Sequence, residues 1–155
     1  MKIQKYGQIE LNIIREVNNM YLLDTNIFLE VILKQQRSEE CKNLLYKILS
    51  GEVTVVITDF SIYSIVIRME HENRDVDQIK KFLLSLSNYR GLTIHSLSLH
   101  EKILATSLMK EYKLDFDDAL QAQAALSNEV KEIISFDDDF DTISTIKRVV
   151  PSDLL

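Results

Sequence analysis

Met20-Tyr21-Leu22-Leu23-Asp24-Thr25-Asn26-Ile27-Phe28 is the stretch on which the fold turns. Its first four residues read as a short buried strand. Asp24 stands at the end of that strand, and Ile27, Phe28, Val31 and Ile32 then recur at helical spacing. The same design returns near the other end of the chain. There the apolar run Glu132-Ile133-Ile134 leads into Ser135-Phe136-Asp137-Asp138-Asp139-Phe140. A third acidic pair, Asp117-Asp118, opens a helix over residues 115–128 with an alanine face at Ala119, Ala122 and Ala125. Small residues there allow close packing on a sheet.

Working outward, the pattern alternates between the two secondary structures. Ser38, followed by Glu39 and Glu40, is the expected N-cap of a second helix that stops at Gly51. A β-branched strand spans residues 53–58, and a helix follows over 59–72. After the polar break Asn73-Arg74-Asp75, Ile79, Phe82, Leu83 and Leu86 mark a further helix. Leu92-Thr93-Ile94-His95 is a strand, and Ser98 with Glu101 three residues on forms a capping box for the next helix. Residues 132–135 and 146–150 complete the strands, with a loop or helical turn over 137–142 between them. Short strands alternating with helices predict an α/β domain, three layers deep, around a short, mostly parallel sheet. In such a sheet the functional crevice lies at the carboxyl ends of the strands. Asp24 and Asp137 belong there, and Asp118, in the first turn of its helix, can reach the same edge.

The bulk composition sets bounds on function. With 155 residues, 46% hydrophobic and 27% charged, the chain suits one globular domain with a sizeable core. Residues 20–155 form that domain, and residues 1–19 read as an N-terminal extension in which Ile9, Leu11 and Ile13 alternate like a short strand. A single cysteine, Cys41, excludes an internal disulfide and a cysteine-based zinc site. Its position in the stripe Cys41, Leu44, Leu45, Ile48 predicts a buried structural thiol. No apolar run reaches membrane-spanning length, and Gln4, Gln8, Glu10 and Asn12 interrupt any signal-peptide core. The expected location is the cytoplasm. The net charge of −6 argues against a protein that coats nucleic acid through bulk positive charge. It leaves room for an enzyme that cuts nucleic acid, with Lys34, Arg37, Lys42, Arg68, Arg74, Lys80, Lys81, Lys110 and Lys113 available for a phosphate-binding rim or as ordinary solvated charges.

Each acidic motif alone has a plain structural reading. Asp24 suits a helix N-cap, the Asp117-Asp118 pair suits another, and residues 135–141 suit a solvated turn. Their occurrence together at strand ends calls for more. Carboxylates gathered at one edge repel each other unless a cation lies between them. A divalent metal fits, and with it metal-assisted phosphodiester cleavage. An aspartate-based phosphotransferase would want a second acid at position 26, where Asn26 stands. His71, His95 and His100 pair with no Ser or Cys at an informative spacing, and no Gly-rich phosphate loop occurs.

From Met20 onward these motifs, in this order, resemble those of the PIN domain, the nuclease fold of VapC-type toxins from toxin–antitoxin pairs. The strand followed by Asp24-Thr25-Asn26 matches the family's first motif, Asp118-Ala119 its third, and Ser135-Phe136-Asp137-Asp138-Asp139-Phe140 its fourth. The second motif departs. Where the family carries a glutamate six residues after the strand-ending Ser or Thr, counting from Thr58 arrives at Ser64. Asp59 and Glu70 are the nearest acids that could compensate. The resemblance implies a PIN-like α/β/α fold and a Mg²⁺- or Mn²⁺-dependent endoribonuclease. It implies Asp24, Asp118 and Asp137 as metal-holding catalytic residues, with Asn26, Ser135, Asp117, Asp139 and Ser64 in support. It further implies an RNA substrate, a homodimer and an antitoxin partner. The missing glutamate supports an alternative, a degenerate PIN domain that binds RNA or protein without cutting.

Overall fold

The computed structural model describes residues 19–155. The strand expected around Ile9, Leu11 and Ile13 lies outside the described residues. Five strands form one sheet: β1 (Met20–Leu23), β2 (Thr54–Thr58), β3 (Leu92–His95), β4 (Glu132–Ile134) and β5 (Lys147–Val149), in the order β3-β2-β1-β4-β5. Every pairing is parallel, with Leu22 opposite both Val56 and Ile133. Six α-helices connect them: α1 (Thr25–Ile32), α2 (Ser38–Ser50), α3 (Asp59–His71), α4 (Val76–Leu86), α5 (Leu99–Tyr112) and α6 (Phe116–Ser127). Short 3₁₀ turns span Asp138–Thr142 and Pro151–Leu154.

Strand side chains alternate between faces, so the central strands β1, β2 and β4 feed two cores. Leu22, Val56 and Ile133 pack with Ala105 and Leu108 of α5 and with the alanines of α6. Leu23, Val55, Ile57 and Ile134 pack with Phe28, Ile48, Ile65, Met69 and Phe82 from α1 to α4. Because both faces are covered there, β1, β2 and β4 are largely apolar, whereas the edge strands β3 and β5 carry exposed polar residues. Cys41 is buried in the second core, as its stripe predicts. Ala119, Ala122, Ala124 and Ala125 are fully buried, which lets α6 lie close to the sheet.

Local signals account for most element ends. Gly51 closes α2 in the left-handed conformation at φ 84°. Ser98 and Glu101 form the expected capping box on α5, and Asp75 with Gln78 forms another on α4. One expectation is corrected. Ser38 is the first helical residue of α2 rather than its cap; Arg37 holds the cap position, and no side chain caps the helix there. The Arg37 N–H donates to the Glu30 carboxylate at 2.9 Å, which ties the cap residue to α1 but leaves the first-turn N–H groups of α2 without a side-chain acceptor.

The chain runs outward from β1 to β2 and β3, then returns across the opposite face to β4 on β1's other side. This change of direction puts the topological switch point between β1 and β4. Open α/β sheets place their ligand crevices there, where the two connections diverge and leave space at the carboxyl ends.

Candidate metal centre

The strand ladder itself delivers the first two groups. The Asp24 N–H donates to the Ile134 carbonyl at 3.1 Å, and the Ser135 N–H to the Val149 carbonyl at 3.0 Å. Both residues thus continue the sheet's pairing by one step and sit side by side. The Ser135 hydroxyl donates to Asp24 Oδ2 at 2.6 Å and accepts from the Asp137 N–H at 2.9 Å. Asp137 Oδ1 in turn accepts from the Asp139 N–H at 2.9 Å. A serine turn followed by an aspartate turn therefore fixes the backbone from 135 to 139.

The helix-cap reading of Asp24 does not hold. Asp24 occupies the N-cap position of α1, but its side chain makes no capping hydrogen bond. Its oxygens are taken by Ser135 and by Gln121 Nε2, which donates to Oδ1 at 3.2 Å. Nor do Asp117 and Asp118 cap α6. That role falls to Asp115, whose carboxylate accepts from the Asp118 N–H at 2.9 Å and leaves the other two acids free to project.

These acids meet in a cleft of about 400 Å³, lined among others by Asp24, Asn26, Ser64, Arg68, Asp117, Asp118, Gln121 and Asp137. Carboxylate oxygens of Asp118, Asp137 and Asp139 lie within 4.8 Å of one another. Asp24 is only 3% exposed and stands behind this group in the wall, oriented by its two donors. Ser64, on α3, lines the cleft where the family's glutamate is expected. Neither Asp59 nor Glu70 does so, and Asp59 is turned toward the Phe60 N–H at 2.8 Å. Of the nine basic residues named from the sequence, Arg68 alone lines the cleft. Arg74 is a structural clamp, its guanidinium donating to the Ile32 carbonyl at 3.0 Å.

The electrostatics are those of crowded acids. Burial pushes the Asp118 carboxyl up to about 7, and Asp115, Asp137, Asp117 and Asp24 add to the shift. Asp117 is pushed up to about 6 by burial and by the charges of Asp24 and Asp115. Burial also raises Asp24, opposed by its hydrogen bonds from Ser135 and Gln121 and reinforced by the charge of Asp137. Within this region Asp117 Oδ1 and Gln121 Oε1 are buried without a hydrogen-bond partner. Hard oxygen donors, mutual repulsion and unpaired acceptors together fit a divalent cation such as Mg²⁺ or Mn²⁺.

A model of the PIN domain family matches residues 21–145. The chain belongs to the PIN domain family. Among structures, this PIN domain is similar to a toxin–antitoxin complex from Klebsiella pneumoniae, with 21% identity over 84% of this chain and 97% of that chain and a TM-score of 0.63. It is similar to the sarcin–ricin-loop-cleaving toxin VapC20 of Mycobacterium tuberculosis, with 13% identity over 82% of this chain and 97% of that one and a TM-score of 0.66. It is also similar to VapBC2 of Rickettsia felis, bound there to a promoter DNA fragment, with 17% identity over 84% and 98% and a TM-score of 0.64. At such identities the likeness concerns the fold. A comparison with curated protein sequences finds no match.

Gln121 had no place in the sequence reading of this PIN domain's site, and Asp139 had only a supporting one. Gln121 is 1% exposed and holds Asp24 from α6. Its signal was a polar residue three positions after Asp118, on the face otherwise given to alanine. Asp139 was assigned a secondary place, yet it shares the tight carboxylate cluster. The hydrogen bond between its own N–H and Asp137 explains why: the turn folds the two acids back on each other.

Proposed function

We propose that the protein is a metal-dependent endoribonuclease, acting as the toxin of a toxin–antitoxin pair. The observation that carries this reading is the cluster of Asp118, Asp137 and Asp139 at a cleft that Asp24, Asp118 and Asp137 line. Asp24, Asp118 and Asp137 are the proposed catalytic and metal-holding residues, with Asp139 and Asp117 completing the acidic wall. A divalent cation held there supplies the positive charge that activates water and steadies the leaving oxygen of a phosphodiester.

This chain's own residues would do the rest. Ser135 and Gln121 keep Asp24 in one rotamer, so its charge is presented without reorganisation. Asn26, exposed at the cleft's edge, is placed to hydrogen-bond a ligand or the ribose-phosphate chain. Homodimer formation is supported by apolar residues left exposed on two helices, Tyr63 and Ile67 on α3 and Leu99 and Ile103 on α5. An antitoxin partner and a cytoplasmic location belong to the same reading. No helix among the described residues is long and apolar enough to cross a membrane.

One observation favours a second reading. Ser64 brings no charge to the cleft wall, which suits a PIN domain that binds RNA or a protein partner without cutting. Incubating the protein with single-stranded RNA in Mn²⁺ and in EDTA separates the two. Cleavage only in Mn²⁺, lost in Asp137→Asn, is the expected result. RNA binding without cleavage establishes the second reading.

A further inference from the structure

Five aspartates line the cleft: Asp24, Asp115, Asp117, Asp118 and Asp137. Among the described residues one cation lines it with them, Arg68 of α3, one helical turn beyond Ser64 and on the same face. We infer that Arg68 is the residue that grips a phosphate of the substrate strand, in the cleft it shares with the carboxylates. This rests on the proposed ribonuclease reading and assigns its substrate contact.

Three features support the assignment. First, a polyanion entering an acidic cleft is repelled wherever the acids are not matched by positive charge. A guanidinium in the same cleft, with five donors in a planar fork, is the side chain best suited to take a phosphate there. Second, Arg68 is not consumed by the acids of the cleft. Its guanidinium pairs instead with Glu72, on its own helix, at 3.0 Å. Third, that pair is weakly held. Its two side chains are 52% and 44% exposed, and solvated pairs at this spacing contribute little. A phosphate can therefore displace Glu72 at small cost, and Glu72 competes with substrate for the same donors.

The competition gives a test that a purely structural pair would fail. Arg68→Gln and Glu72→Gln both break the ion pair. If the pair only steadies α3, the two variants behave alike. If Arg68 grips phosphate, they move in opposite directions. Binding of a fluorescein-labelled single-stranded RNA is followed by anisotropy in Ca²⁺ over a range of salt, and KM and kcat are measured in Mn²⁺. Arg68→Gln is expected to weaken binding by about fivefold to tenfold and to raise KM with little change in kcat. It should also lower the slope of log affinity against log salt by about 0.7, the value of one phosphate contact on a single strand. Arg68→Lys should fall between, keeping the charge and losing the fork. Glu72→Gln should tighten binding about twofold or more by freeing the arginine. Equal affinity and salt slope in wild type and Arg68→Gln, or parallel losses in Arg68→Gln and Glu72→Gln, overturn the assignment while leaving the ribonuclease reading intact. Wild type that neither binds nor cuts RNA overturns both.

Discussion

Replacing Asp118 by Asn separates a metal-binding cluster from an accidental gathering of acids. Asp118 is 8% exposed, and burial and four neighbouring carboxylates raise it from 3.8 to about 7. A raised carboxyl disfavours the charged state of the folded protein. The stability attached to it is fully present below the unfolded value of 3.8 and is lost as pH rises through about 7. At ~1.4 kcal/mol per unit, the shift corresponds to about 4 kcal/mol, and roughly half survives solvent screening at the mouth of the cleft. In EDTA the wild type should therefore lose ~2 kcal/mol between about pH 4 and about pH 8. Asp118→Asn, with no charge to acquire, should melt roughly 4–8 °C above wild type at ~pH 8 and close to it at ~pH 5. Mn²⁺ should reverse the order, adding ~2.7 kcal/mol to wild type at a hundredfold excess over Kd and much less to the variant. Differential scanning fluorimetry across pH, with EDTA or Mn²⁺, reads both effects. A variant no more stable than wild type at ~pH 8 in EDTA, or equal Mn²⁺ shifts in both proteins, refutes the reasoning.

Three other changes test separate parts of the site. Ser135→Ala removes the hydroxyl that joins Asp24 to the Asp137 N–H; it should cost about 1–3 kcal/mol in urea denaturation and weaken Mn²⁺ binding, and an unchanged midpoint would count against the bridge. Ser64→Glu adds a carboxylate to the cleft wall and should tighten Mn²⁺ by about tenfold, or ~1.4 kcal/mol, in calorimetric titration. Unchanged affinity would show that α3 stands too far from the ion. Ile103→Glu places a charge on the exposed apolar face of α5 and should yield a monomer by light scattering, with the melting temperature nearly kept. A wild type that is already monomeric removes the role proposed for that face.

Much of this architecture was legible because its signals are local. Gly51, the Ser98–Glu101 box and the alanine face of α6 each act within a turn or two of chain, and each stands where the sequence places it. The convergence at the strand ends was also legible, since parallel strands must present their carboxyl ends on one edge. What escaped is non-local. Gln121 is 97 residues from the aspartate it holds, and a polar residue on an alanine face does not by itself name its partner. Ser38 has the right local pattern for a cap, but the helix begins one residue earlier, with Arg37 tied to an acid of the preceding helix in the cap position. The seat of Asp139 depends on a turn that only a donor–acceptor account of residues 135–139 reveals.

The place of β4 between β1 and β5 has a consequence for synthesis. During translation β1, β2 and β3 emerge early and can pair, but the second edge of β1 stays open until residues 132–134 leave the ribosome. Until then Asp24 has no Ser135 to hold it, and Asp118 has no Asp137 or Asp139 across from it. The acidic cluster is therefore absent from every nascent chain shorter than about the full domain. On the proposed ribonuclease reading, the nascent chain therefore stays inert toward the message and the ribosome that are making it until the domain is complete.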